Sequence, residues 1–203
     1  MSFNIFKPGF AVRDSLENPN LAKALLPVIV LSLLTIGSAL LIGLRLDMLQ
    51  HGLLFARNIG ELVFTAVAFY LVAYLFEGKK IEGKFTGIVS AISLKWVLLI
   101  ILWFVGFIAF SALISPELST AMVNTINSGN TGGLEEVSSL LSSDISDSII
   151  PLVLGLLILT FGLYLWGLYI YYKIASELIE GSVLKRLAAL AIVVFLVLAV
   201  YII

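Results

Sequence analysis

Ala24-Leu-Leu-Pro-Val-Ile-Val-Leu-Ser-Leu-Leu-Thr-Ile-Gly-Ser-Ala-Leu-Leu-Ile-Gly-Leu44 is a run of 21 residues without a charge, bounded by Lys23 and Arg45. A helix rises about 1.5 Å per residue and the hydrocarbon core of a bilayer is about 30 Å thick, so about 20 apolar residues span it. The run therefore predicts a transmembrane helix. It also supplies a rule for the rest of the chain, which is to measure the uncharged intervals between charges. Lys95 to Glu117 leaves 21 residues (96–116), and Asp147 to Lys173 leaves 25 (148–172). Leu62–Phe76 is shorter, at 15, and reaches span length only by including Asn58 to Glu61; Leu187–Ile203 adds 17. The fold class this predicts is all-α, a polytopic membrane protein of five transmembrane helices at about 24–44, 58–76, 96–116, 148–172 and 187–203.

Composition points the same way. Of 203 residues, 61% are apolar and 12% charged, with mean hydropathy +1.12. Soluble domains carry about twice that charge. A net charge of −1 offers no basic field for nucleic acid. The chain has no cysteine and one histidine, His51, which excludes disulfides, thiol chemistry and any Cys or His metal cluster.

Lys and Arg are retained on the cytoplasmic side of a membrane. With the N-terminus inside, ten of them fall on inner segments and only Arg45 and Arg57 on outer ones. That predicts an inside N-terminus and an outside C-terminus. The connection 117–147 has no Lys or Arg and five acids (Glu117, Glu135, Glu136, Asp144, Asp147), as an outer loop would. Around its turn-rich centre, Leu118, Met122 and Ile126, and then Leu134, Val137, Leu140, Leu141 and Ile145, recur at helical spacing, which predicts a helical hairpin. Residues 1–23 hold five charges and two prolines, unlike a cleavable signal. Phe3, Phe6 and Phe10, interleaved with Lys7, Arg13 and Asp14, read as a cytoplasmic interfacial helix. Asn18-Pro19 is expected to cap and open the first span. Phe85–Leu94 either lies flat on the inner face or extends the third span.

Ionisable groups at membrane depth are the first place to look for function. The intervals leave the central turns of all five spans without one. Glu61, at the outer end of the second span and one turn after Arg57, is the marginal case. It reads either as half of a salt bridge with Arg57 or as part of an outer polar cluster, Arg45, Asp47, His51, Arg57 and Glu61, that binds a headgroup or anion. Asp47 and His51 alone are too few to hold a metal. Glu135 and Glu136 point apart on a helix, and the serines of the outer loop lack a Gly-x-Ser-x-Gly elbow. No catalytic residue, metal or cofactor is expected, and the chain reads as a non-enzyme. Gly155 and Gly162, seven apart in the fourth span, are expected to admit a close helix neighbour. Tyr164, Trp166, Tyr169, Tyr171 and Tyr172 crowd that span's inner end, as an interfacial belt or as the wall of a lipid groove.

The layout resembles the Yip family, five-span membrane proteins whose eukaryotic members interact with Rab GTPases. The likeness is carried by Pro8-Gly9-Phe10 and Asn18-Pro19 ahead of the first span, and by Arg57-Asn-Ile-Gly60-Glu61 opening the second. A short polar turn, Lys173–Arg186, joins the last two spans. The chain lacks the long cytosolic N-terminus and the Asp-Leu-Tyr-Gly-Pro element of eukaryotic members; its Asp47 begins Asp-Met-Leu-Gln-His instead. It is closer to minimal prokaryotic members, for which the family implies a fold and a cell-membrane location but no activity or functional residue. The expected function is a non-enzymatic membrane organiser or adaptor, acting through helix packing, membrane lipids and a protein partner or homo-oligomer, with no nucleic acid. A scramblase-like lipid-handling or transport protein, or an accessory subunit of a larger complex, is the alternative.

Overall fold

The computed structural model of the chain describes residues 7–45, 47–113, 115–128, 135, 137–140 and 149–202. Among them every regular element is a helix: α1 (Pro8–Glu17), α2 (Leu21–Leu41), α3 (Met48–Glu77), a 3₁₀ turn (Gly78–Ile81), α4 (Phe85–Ile92), α5 (Leu94–Leu113), α6 (Pro116–Ser128), α7 (Ile149–Leu178) and α8 (Val183–Ile202). Four stretches are long and apolar enough to cross a membrane, namely Leu21–Leu41, Met48–Ile81, Phe85–Ala109 and Val153–Leu178. Their outward faces are apolar as well, with Leu75, Ile108 and Ile158 among the exposed side chains, as helices solvated by lipid require.

The helix bounds depart from the intervals between charges because charges such as Arg57, Glu61, Lys95 and Lys173 lie inside helices rather than at their ends. The second span is no short helix. It runs 30 residues from Met48, opened by a capping box in which Asp47 Oδ1 accepts from Gln50 N at 2.7 Å and Gln50 Oε1 accepts from Asp47 N at 3.0 Å. It ends at Gly78, whose φ of +60° suits glycine. The third span starts earlier than 96. Phe85–Leu94 extends it, with a break at Ser93, whose Oγ donates to Ser90 O at 2.8 Å. Every residue from Gly87 to Leu94 is buried, so α4 is an interior helix, not one resting on a surface. The fourth helix likewise continues past Tyr172 to Leu178, and the last begins at Val183 with Lys185 and Arg186 in its first turns.

α3 lies at the centre, touching α2, α4, α7 and α8. α1, expected as an interfacial helix, is docked on the bundle. It packs on α4 and α7 and buries Pro8, Ala11, Val12 and Ser15, while Phe10 stays exposed. The reason is close backbone approach: a Cβ on Gly87 would come within 3.0 Å of Leu16 Cα and O, so only a small-residue face of α1 fits there. Phe3 and Phe6 lie outside the described residues. Asn20, not Asn18, caps α2, its side chain accepting from Lys23 N at 2.9 Å; Asn18 instead ends α1 by donating to Asp14 O. At the same end of the bundle Glu77 accepts from Lys185 Nζ at 2.6 Å and from Glu180 N at 3.1 Å, and Lys80 pairs with Glu180 at 2.8 Å.

At the opposite end α6 forms over Pro116–Ser128, the first arm of the expected hairpin, burying Leu118 and Ala121. Its Asn127 side chain accepts from Arg45 N and donates to Gly43 O, both at 3.0 Å, tying α6 to the α2–α3 link. Most of the second arm lies outside the described residues.

Candidate functional site

Asn58, Glu61 and Thr65 stand at i, i+3 and i+7, one face of α3, and that face points into the bundle. Asn58 Nδ2 donates to Ser32 Oγ of α2 at 2.8 Å, and Ser32 Oγ donates to Val28 O at 2.9 Å. One turn on, Glu61 Oε1 meets Lys95 Nζ of α5 at 2.8 Å, with side-chain exposures of only 19% and 27%. The site is deep. Glu61 lies about 20 Å along α3 from Met48 and about 24 Å from Glu77, and Lys95 about 15 Å from Phe85, at about 1.5 Å per residue.

Tyr171 of α7 completes the group. Its ring is 5.8 Å from Lys95 Nζ, within cation–π reach, and is held edge-on to Phe69 at 5.3 Å. Lys95, Glu61 and Thr65 are its polar neighbours. Neither the Tyr171 hydroxyl nor Thr65 Oγ1, both buried, makes a well-formed hydrogen bond among the described residues. Orphaned hydroxyls of this kind are costly in an apolar interior and mark a place where a partner fits.

Beside this group is a cavity of about 280 Å³ between α5, α7 and α8. Lys95 and Tyr171 form one end, and Leu98, Leu99, Leu102, Leu163, Val194 and Val197 line its body. Tyr164 and Leu198 line it too and are half or more exposed, so it opens sideways on the outer surface of the bundle. Among the described residues Lys95 is its sole charged lining residue, and Glu61, its partner, is not part of the lining. A more open hollow of about 300 Å³ near Ser38, Trp103 and Phe107 has no charged lining residue.

The structure does not gather the five outer residues. Asp47 is a helix cap, Arg45 contributes its backbone N to Asn127, and the exposed Arg57 makes no ion pair among the described residues. His51 is half-buried with Nε2 unpartnered, and about 15 Å of helix separates it from Glu61. Glu61 pairs with Lys95, not Arg57, and both lie within the apolar stretches Met48–Ile81 and Phe85–Ala109. The interval rule had cut the chain at Lys95 as though it were a helix end. Of the aromatics, Tyr164 lines the cavity, Trp166 and Tyr169 face outward 5.8 Å apart, Lys173 sits over the Tyr169 ring at 5.4 Å, and Tyr172 is half-buried. Tyr171 is the aromatic at the polar end, and its neighbours gave no local signal of this. Gly155 and Gly162 are exposed, and among the described residues nothing lies within 4 Å of where a Cβ would stand on either. Among the described residues no cluster of His, Cys, Asp or Glu could hold a metal. No protein-family model, curated protein or solved structure matches this chain.

Proposed function

We propose that this chain is a five-span membrane protein, N-terminus in the cytoplasm and C-terminus outside, that handles lipid-like amphiphiles in the lateral cavity between α5, α7 and α8. The observation that carries this is a cavity apolar along its body, polar at one end and open to the side, which is the shape of an amphiphile. A bundle working only through its outer faces has no use for an ion pair at that depth.

The span count and orientation rest on physical arguments. α8 is 20 residues long and uncharged after Arg186, which supports a fifth crossing near the shortest length a bilayer admits. With Lys95 moved into the bundle, nine Lys and Arg still fall on the inner side against Arg45 and Arg57 outside. The layout shared with the Yip family supports the same topology and a prokaryotic cell membrane. The organiser reading keeps its non-enzymatic character but loses one support, because the small-residue face of α1 is already spent on α4 and α7. Protein partners would then meet the exposed apolar faces of α7 and α8.

The test is lipid retention. Protein purified in mild detergent should carry stoichiometric lipid, identified by mass spectrometry of the extract. Gly167 lines the cavity and a Cβ there meets open space, so Gly167→Phe should fill it and strip that lipid. Equal lipid in the variant would sink the proposal.

A further inference from the structure

We infer that the cavity takes a single alkyl chain bearing an anionic head, a carboxylate or phosphate, seated against Lys95. The inference rests on the amphiphile reading above and adds the ligand's chemistry.

The asymmetry of the ion pair decides the sign of the head. Lys95 lines the cavity and Glu61 does not. The lining thus presents Lys95, and not Glu61, to an incoming head. The other polar lining groups are the hydroxyls of Thr160, Tyr164 and Tyr171, all able to donate. A wall with one cation, three hydroxyls and no carboxylate is built to be accepted from. A cationic head would face a like charge in a low-dielectric setting, and a purely apolar one would offer the buried Tyr171 hydroxyl no acceptor. An anion gives that buried hydroxyl an acceptor and gains a charge-assisted bond from Lys95. Glu61 keeps Lys95 paired in the empty state, and the three donors of the ammonium let it hold a ligand oxygen without releasing Glu61.

Size sets the chain number. The volume is about 280 Å³, at the small end for a ligand pocket. Lys95 to Leu102 covers about 10 Å along α5, and Tyr171 back to Thr160 about 16 Å along α7, with apolar side chains between. That is a slot for one chain lying along the helices with its head at Lys95.

Native mass spectrometry of the detergent-solubilised protein tests this with dodecanoate, dodecanol and dodecyltrimethylammonium, and with phosphatidylglycerol and phosphatidylcholine. Dodecanoate is expected to give a one-to-one adduct, with occupancy about tenfold above the alcohol and the cation. The double variant Lys95→Met/Glu61→Gln, which removes both charges together, should lose that preference, and Gly167→Phe should lose every adduct. Equal binding of dodecanol, or undiminished dodecanoate on the double variant, overturns the anionic head while leaving the cavity reading intact. Phosphatidylglycerol bound over phosphatidylcholine, with dodecanoate excluded, keeps the anion and overturns the single chain. No adduct of any probe on the wild type, or adducts untouched by Gly167→Phe, removes the cavity reading itself and this inference with it.

Discussion

Lys95→Met is the substitution that most directly questions this structure. At 2.8 Å the pair with Glu61 is worth about 6 kcal/mol of Coulomb attraction at an effective dielectric of about 20. Part of that is offset by desolvation of both ions, so the pair's net contribution is small. Losing one partner is a different matter, because the other is left as an uncompensated charge in an apolar bundle. Such losses cost about 3–5 kcal/mol. For a chain of about 200 residues, 1 kcal/mol moves Tm by about 2–4 °C, so Lys95→Met should lower it by about 6–20 °C. Unfolding in mild detergent can be followed by tryptophan fluorescence, since Trp96 is buried next to the site. Glu61→Gln alone should be milder, since it strands an ammonium on a flexible stem. The double variant should recover most of the loss. Arg57→Met is the control: exposed and unpaired among the described residues, it should stay within about 0.5 kcal/mol. If Arg57→Met proved as damaging as Lys95→Met, or if Lys95→Met left Tm within 2 °C of wild type, the internal pairing would be wrong.

Other parts of the molecule give sharper local outcomes. Gly87→Leu puts side-chain atoms into the backbone of α1 at Leu16, an overpacking of about 1–3 kcal/mol that should lever α1 off; trypsin should then cleave after Arg13 several-fold faster, and unchanged cleavage would deny the crossing. Asp47→Ala removes the capping box of α3 and should cost about 1 kcal/mol in thermal unfolding while leaving lipid retention alone; lost lipid would return Asp47 to a binding role. Gly155→Leu and Gly162→Leu should leave the monomer's Tm unchanged because nothing among the described residues lies against them, and a large drop would show packing that those residues do not supply. The absence of native cysteine makes topology easy to read: in spheroplasts an impermeant maleimide should label Ser119→Cys and spare Ser182→Cys, and the reverse pattern would invert the orientation.

The uncharged run 24–44 was enough to find α2 nearly as it is, and the same rule found α5 and the body of α7, because apolar length is what a bilayer demands of a helix. The rule failed where charge and helix end part company. Lys95 bounds an uncharged interval but not a helix, so the interval begins later than the span it belongs to and leaves Phe85–Leu94 open to two readings. Glu61 was tied to Arg57 by helical spacing, the one partner visible along the chain. Its actual partner is 34 residues away, on a helix whose approach is fixed by packing across α4. The small face of α1 was hidden behind the more obvious phenylalanines, and the matching signal, Gly87, carries meaning only once Leu16 is known to lie over it. Tyr171 was one tyrosine among several; nothing in its spacing separates it from Tyr169 or Tyr172.

The ion pair itself argues for a ligand on energetic grounds. Were α3 and α5 merely to be held together, a leucine at 61 and a methionine at 95 would do it at least as well, since replacing buried pairs by apolar side chains is often neutral or stabilising. Asn58 with Ser32 already supplies a polar bond to fix the register of α3 one turn away. Stability and register thus leave Glu61 and Lys95 unexplained. What an apolar pair would remove is the sole charge lining the lateral cavity, together with the field around the unpartnered Tyr171 hydroxyl. The pair is accounted for by the cavity beside it: Lys95 for what enters, and Glu61 for the time when nothing has.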